Sequence, residues 1–186
     1  MTAHGGEGAG WVVATIGHST HTLETFIHLL QLHGVKQVVD VRTVPRSRHN
    51  PQFNRDTLPD ELKAVGIEYL HLPGLGGLRH PRHDSDNAGW QNASFRGFAD
   101  YMGTPEFENQ LGELIKLSQR RRIALMCAEA LPWRCHRSLI ADALEVRGIR
   151  VAHILNSTHI QPHRMTPFAK VKGTHLVYPP EKTLIP

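Results

Sequence analysis

The chain alternates short apolar runs with stretches whose apolar residues recur every three or four positions. "WVVATIGHS" (11–19) is a nearly unbroken apolar, β-rich run that closes on Gly17, the pattern of a buried strand. "STHTLETFIHLLQLHG" (19–34) then sets Leu23, Phe26, Ile27 and Leu30 at helical spacing, with Thr22 as N-cap and Gly34 as the stop. "KQVVDVRTV" (36–44) predicts a second strand, and "DTLPDELKAVG" (56–66) a short helix ending at Gly66. "IEYLHLPGLGG" (67–77) predicts a third strand and a Gly-rich turn. Residues 79–93, "RHPRHDSDNAGWQNA", hold almost no apolar side chains and read as a long polar loop, of a length often used for lids or binding loops. Helical patterns follow over about 94–101 and 105–119, split by "GTP", with Pro105 suited to a first turn. "RRIALMCAE" (121–129) predicts a fourth strand, "RCHRSLIADALEVRG" (134–148) a helix stopped by Gly148, and "IRVAHILN" (149–156) a fifth strand. The tail, 157–186, is rich in Pro, His and Lys and reads as irregular, with only "THLVY" (174–178) extended.

Strands that alternate with helices, through connections long enough for crossovers, predict an α/β fold. The expectation is a single domain over 11–186, with about five mostly parallel strands and helices on both faces, behind a flexible lead-in at 1–10. A length of 186 residues suits one domain with a real core.

Composition narrows the picture. Hydrophobic residues are 40% and charged residues 20%, as in soluble globular proteins. No apolar run approaches the roughly 18 residues that span a bilayer, and "MTAHGGEGAG" has no secretory leader pattern. A membrane partner is therefore not expected, and a cytoplasmic location is. Lys plus Arg is 21 against 17 Asp plus Glu, a net charge of +4. That balance permits a nucleic acid or another anionic ligand without requiring one. Most of the 14 histidines, such as His28, His33 and His49, follow no shared pattern and read as surface residues. Two cysteines without a leader suggest a reducing compartment, which excludes a disulfide framework and leaves a redox pair open.

Open parallel sheets bind ligands beyond the carboxyl ends of their strands. The predicted strand ends carry His18 and Ser19, then Asp40 and Arg42 with Arg46, Ser47 and Arg48, then His71, then Cys127 and Glu129, and last Asn156. Cys127 would face the start of the next helix, near Arg134 and Arg137, conditions that favour a thiolate. The alternative is a small buried hydrophobe. Cys135, Leu139 and Ala143 would share one helical stripe, and His136, Ile140 and Leu144 the next. Core packing is then the simple role for Cys135, while His136 would be a general base, a ligand or a capping residue. Asp40 and Arg42 alternate with Val41, so they share one side of their strand. Together they would position a substrate, orient His18, or tether the following loop. Arg42, Arg46, Arg48 and Arg55 form a basic stretch around Phe53 that suits phosphate or, equally, a solvated loop. "PGLGG" (73–77) fits no dinucleotide or P-loop fingerprint and reads as turns with close backbone approach.

Three functions fit these residues. The first is an enzyme, a thiol-dependent hydrolase or transferase of an anionic, phosphate- or nucleotide-containing substrate. Its catalytic groups would be Cys127, His18, His136, Glu129 and Asp40, and its substrate-binding groups Ser19, Arg42, Ser47, His71, Arg134 and Arg137. The second is a metal-binding protein holding a divalent ion on His18, Cys127, Cys135 and His136, although Cys-x7-Cys-His lacks the short paired spacings of zinc ribbons. The third is a non-catalytic nucleic-acid module using the Arg-rich loop, the 79–93 loop and Trp90.

"TIGHST", "DVRTVPRSRHNPQFN", "LPGLGG", "FADYMGTPEF", "MCAEALPWRCHR" and "VAHIL", in that order, resemble the Domain of Unknown Function family 488 over about Val13 to Lys170. The resemblance implies a compact cytosolic bacterial or archaeal α/β protein and supplies no reaction. The motif positions it carries over are Gly17, His18, Ser19, Asp40, Arg42, Pro45, Ser47, Cys127, Glu129, Cys135, His136 and Arg137. His80 and His83 fall in a His-rich insert and are weaker candidates. "VVDVRTVP" also looks like an early strand of rhodanese domains, but Cys127 to Arg134 is one residue longer than a Cys-x5-Arg loop, so this is fold-level analogy.

Overall fold

The computed structural model describes residues 13–180. The lead-in expected at 1–10 therefore lies outside the described residues, as do the last six residues of the tail. In chain order the elements are β1 (Val13–Gly17), α1 (Leu23–Leu32), β2 (Gln37–Asp40), α2 (Leu58–Ala64), β3 (Glu68–His71), α3 (Ala93–Met102), α4 (Pro105–Arg120), β4 (Ile123–Cys127), α5 (Arg137–Glu145) and β5 (Val151–Ile154). Three short strands follow, β6 (Ile160–Pro162), β7 (Lys170–Lys172) and β8 (His175–Val177).

Local chemistry sets the helix ends. Thr22 accepts a hydrogen bond from Thr25 N, Asn92 from Ser94 N and Phe95 N, and Thr104 from Phe107 N. Gly148 follows α5 at φ 76°, a left-handed conformation that reverses the chain into β5.

The main sheet has six strands in the order β3-β2-β4-β1-β5-β6. The first five are parallel, and β6 adds antiparallel to β5. Side chains alternate between two cores. Ala14, Ile16, Val38, Ala124 and Met126 face α1 and α2, where Phe26, Phe53 and Leu62 are fully buried. Val13, Val39, Ile123 and Leu125 face α3, α4 and α5, with Phe98, Leu111 and Leu139. The chain leaves β1 toward one edge and β4 toward the other, so strand order reverses between these neighbours. That reversal opens a crevice at their carboxyl ends, where Gly17 pairs with Cys127.

The expected α/β class, the parallel sheet and the helices on both faces are all present. The strand number is six rather than about five, and the tail is more regular than expected. β6 extends the sheet and β7 pairs with β8 in a separate hairpin. Each has three residues; β8 falls within the extended "THLVY", whereas β6 and β7 are held by backbone pairing that no apolar run announces. The polar loop is tied down by Asp100 on α3, whose carboxylate accepts from Arg82 N, Ser85 Oγ and Asn87 Nδ2 at 2.6–2.8 Å. No helix among the described residues is long and apolar enough to cross a membrane.

Gly17 is where the two central strand ends crowd. A Cβ there would run into the Glu129 carbonyl and come within 2.8 Å of Ala130 Cα. Gly17→Ala is expected to cost about 1–3 kcal/mol, lowering Tm by about 2–4 °C per kcal/mol. A calorimetric scan with unchanged Tm would show that the segment after β4 yields freely.

Candidate functional site

At the β1/β4 crevice lies a cavity of about 480 Å³. Its wall includes Cys127, Cys135 and His136 on one side and His18 and Arg42 on the other. The two groups come from opposite faces of the sheet. Cys127 continues the Ile123–Leu125 parity toward α5, whereas His18 continues Ala14–Ile16 toward α1 and stacks on Phe53 at 4.4 Å.

The thiol side is a three-residue cluster. Sγ of Cys127, Sγ of Cys135 and a ring nitrogen of His136 all lie within 4.8 Å of one another. His136 Nε2 is 3.0 Å from the Val41 carbonyl. A carbonyl only accepts, so Nε2 carries hydrogen and Nδ1 faces Cys135 Sγ at 3.6 Å. The imidazole approaches the backbone of Gly77, where a Cβ would sit 2.5 Å from Nδ1. This is the close approach that "PGLGG" predicts. The expected helical stripes through Cys135 and His136 do not form. A 3-10 turn at Pro132–Arg134 precedes them, Cys135 is extended, and α5 begins at Arg137. Pro132 and the bulky Trp133 divert the chain before the helix can start.

Surroundings treat the two thiols oppositely. Contact with the Cys127 thiol, then His136 and the Arg137 charge, hold the Cys135 thiol well below its ordinary pKa, against the opposing effect of burial. The same contact together with burial pushes Cys127 up, against the Arg137 charge and an amide bond from Glu129. The thiolate favoured here is thus Cys135, whereas the sequence places the helix-facing conditions at Cys127.

Arg137 is expected from sequence to clamp an anion, but it lies behind the cavity wall and is 1% exposed. One terminal nitrogen donates to Thr15 Oγ1 at 3.0 Å, and the other to the Glu129 carbonyl. Its Nε has no partner, and no carboxylate pairs with it among the described residues. From Thr15 a hydrogen-bond chain runs to His153 (2.8 Å), His163 (3.0 Å) and the Asp142 carboxylate (2.7 Å). Tyr178 and Thr166 also donate to Asp142. Sequence reasoning missed this chain. Its signal is a polar residue in the middle of each of two apolar strands, since Thr15 and His153 are paired in register.

On the other face Asp40 is fully buried and takes Arg42 bidentately, at 2.9 and 2.6 Å, and Tyr69 at 2.6 Å. Arg42 also donates to the Phe53 carbonyl and reaches His18 Nε2 at 3.3 Å. The pair therefore orients His18 and tethers the loop, two of the roles its alternation suggests. His18 Nδ1 donates to the Ser19 carbonyl, with Ser19 itself at φ 45°. Both ring nitrogens of His18 are thus occupied, so the four-ligand set of His18, Cys127, Cys135 and His136 is not assembled. Three of its members cluster and the fourth faces away. Asp40, Ser19 and His71 stand behind the wall, with His71 Nε2 donating to the Arg42 carbonyl.

Glu129, Ser47 and Arg134 reach the cavity, as does Arg46, a residue of the basic stretch. Arg42, Arg46 and Arg134 face one carboxylate, Glu129, across it. Asn92, Ser94 and Phe95, at the start of α3, complete one wall and were not anticipated. The signal available was the N-cap Asn92 at the end of the polar loop. Trp90 is half-buried and packs against Phe95, Phe168 and Tyr178 at 4.7–5.7 Å, outside the lining of this cavity.

Burial pulls His18 down to about 4, with Arg42 adding to it and the Ser19 bond and Asp40 opposing. Burial and the charges of His163 and Arg137 pull His153 down to about 3. An unfolded chain would protonate both near pH 6.5, so the unfolded state binds more protons and acid favours it. Stability should be fully present above about pH 6.5 and fall progressively toward pH 3. His18→Asn should flatten the part of the Tm–pH slope between about 6.5 and 4. An unchanged slope would remove His18 as its source.

The description "Domain of unknown function DUF488" matches residues 22–144, a narrower span than the sequence resemblance suggests, with Gly17, His18 and Ser19 preceding it. No curated protein and no solved structure matches the chain. The match covers about two thirds of the chain and includes both cysteines and His136, and on it the chain belongs to the family of the domain of unknown function DUF488.

Proposed function

We propose that this protein is a thiol-dependent enzyme, a hydrolase or transferase, that acts on an anionic, phosphate-bearing substrate held in the β1/β4 cavity. The observation that carries this reading is the Cys135–His136 contact. The bond from Nε2 to Val41 O aims Nδ1 at the sulfur, beside a buried guanidinium, on the wall of a cavity that also presents three arginines. A thiolate paired with an imidazole is the activated form of a cysteine nucleophile.

In the step this supports, Cys135 has given its proton to His136 Nδ1, and its S⁻ attacks the electrophilic carbon or phosphorus of the substrate. The bond to the leaving group breaks, and the leaving group takes the proton from His136 Nδ1. Water or a second substrate then releases the group from sulfur, returning a proton to His136. Arg46 and Arg134, both exposed, would meet the anion. Arg42 is committed to Asp40 and would contribute field more than contact. Cys127 would donate its S–H to the Cys135 thiolate rather than attack.

The nucleic-acid module has less to favour it, because Trp90 belongs to an aromatic cluster outside this cavity. A metal centre keeps three donor atoms but not the expected fourth.

The test is alkylation by iodoacetamide, with the modified site identified by mass spectrometry. Cys135 is expected to react about tenfold faster than Cys127, at a rate nearly constant from pH 8 down to 6, because the reactive species is the thiolate. His136→Asn should restore a rise with pH. An Arg46→Ala, Arg134→Ala double variant should lose protection by inorganic phosphate. Preferential labelling of Cys127, or stoichiometric metal in the purified protein, would overturn the reading.

A further inference from the structure

We propose that Cys127 and Cys135 form a dithiol–disulfide couple that exchanges electrons with a small-molecule disulfide admitted to the same cavity. The inference rests on Cys135 being the attacking thiolate, as proposed above, and adds a second activity at that site.

The geometry points to it in three ways. The two sulfurs lie within 4.8 Å of one another, on the same wall of the cavity. No segment has to unfold to bring them together. Cys127 is only partly buried and Cys135 borders the cavity, so a ligand there meets both. The segment between them is fixed at several points. Leu131 N bonds Glu129 Oε1, Arg134 N bonds Leu131 O, and Arg137 holds the Glu129 carbonyl.

The exchange balances without any further reactant. Cys135, its proton resting on His136 Nδ1, attacks as S⁻ one sulfur of a disulfide R–S–S–R, and the R–S⁻ that leaves takes that proton from Nδ1. Cys127 gives its proton to His136 Nδ1 and attacks the Cys135 sulfur of the mixed disulfide, expelling the second R–S⁻, which takes that proton. Two protein thiols are oxidised and one R–S–S–R is reduced to two R–SH.

Arg137 sets the poise of the couple. Its charge is buried with no carboxylate beside it, and the reduced site offers it a thiolate as a near neighbour. The disulfide is neutral and removes that neighbour. Stabilising the reduced form makes a couple more oxidising. The pair should therefore be a readily reduced disulfide rather than a structural one.

The experiment uses the full chain and oxidised glutathione, read by intact mass. The wild type is expected to lose the mass of two hydrogens and to carry no glutathione. Cys127→Ser should trap one glutathione on Cys135, while Cys135→Ser should trap little on Cys127. In a glutathione redox buffer, Arg137→Met should shift the equilibrium toward the disulfide by about tenfold, or about 30 mV, and Arg137→Lys should stay near wild type. If Arg137→Met does not fold, the capture on Cys135 in Cys127→Ser decides. Two thiols that persist in oxidised glutathione while Cys135 alkylates fast would overturn the couple and leave the enzyme reading standing. Slow alkylation of Cys135 would overturn both.

Discussion

A guanidinium buried to 1% exposure, with no carboxylate paired to it among the described residues, is the constraint around which this site is arranged. Taking an ion out of water costs several kcal/mol unless it is matched, and a charged hydrogen bond returns only about 1.5–3 kcal/mol. Arg137 is matched piecemeal. The carbonyls of Glu129 and Ala130 accept from it, Thr15 accepts from it, and a chain through two histidines leads to Asp142. Each of these partners is thereby fixed. The loop after β4 is drawn under the start of α5, which sets Cys135 and His136 beside Cys127. The tail is drawn in as well, since His163 and Thr166 reach Asp142 from residues that the apolar pattern leaves without structure.

The second organising fact is parity. A strand sends neighbouring side chains to opposite faces, and β1 and β4 end side by side. His18, one residue past Gly17, therefore belongs to one core, and Cys127, the register partner of Gly17, to the other. On the α1 and α2 face the Asp40–Arg42–His18 set is closed on itself, every strong donor or acceptor already engaged. On the α5 face the thiols and Nδ1 of His136 have mainly one another. Reactivity concentrates where hydrogen bonding is incomplete, so the reaction we propose belongs on the Cys–His side and not on the Asp–Arg side.

Much of the fold was legible because its signals are local. Thr22 caps a helix, Gly148 stops one, and five apolar runs mark the parallel strands. That His18, Arg42, Cys127 and His136 share one end of the sheet was legible from their places at or just after strand ends, since parallel strands bring their carboxyl ends to one edge. What escaped depends on contacts distant in sequence. β6 is three residues of backbone pairing, and the role of Arg137 depends on Thr15, 122 positions away. The Cys135 stripe failed for a local reason, since Pro132 and Trp133 delay the helix by a few residues and change which way both side chains point.

The imidazole of His136 shows why the site needs the whole fold rather than the three residues. Its Nε2 is held by Val41 O, the residue after β2, and its other edge lies against Gly77, past β3, with the Phe98 ring of α3 at 5.1 Å. Three segments, one from the β2–β3 connection and two from the β3–β4 connection, thus fix one ring. A free histidine would divide its time between rotamers and tautomers, and each would have to be lost before Nδ1 could serve a thiol. Here that entropy is lost on folding, once, and the ring waits in the single orientation that meets Cys135. A glycine at 77 is the condition for it, because any larger residue would occupy the space the imidazole fills.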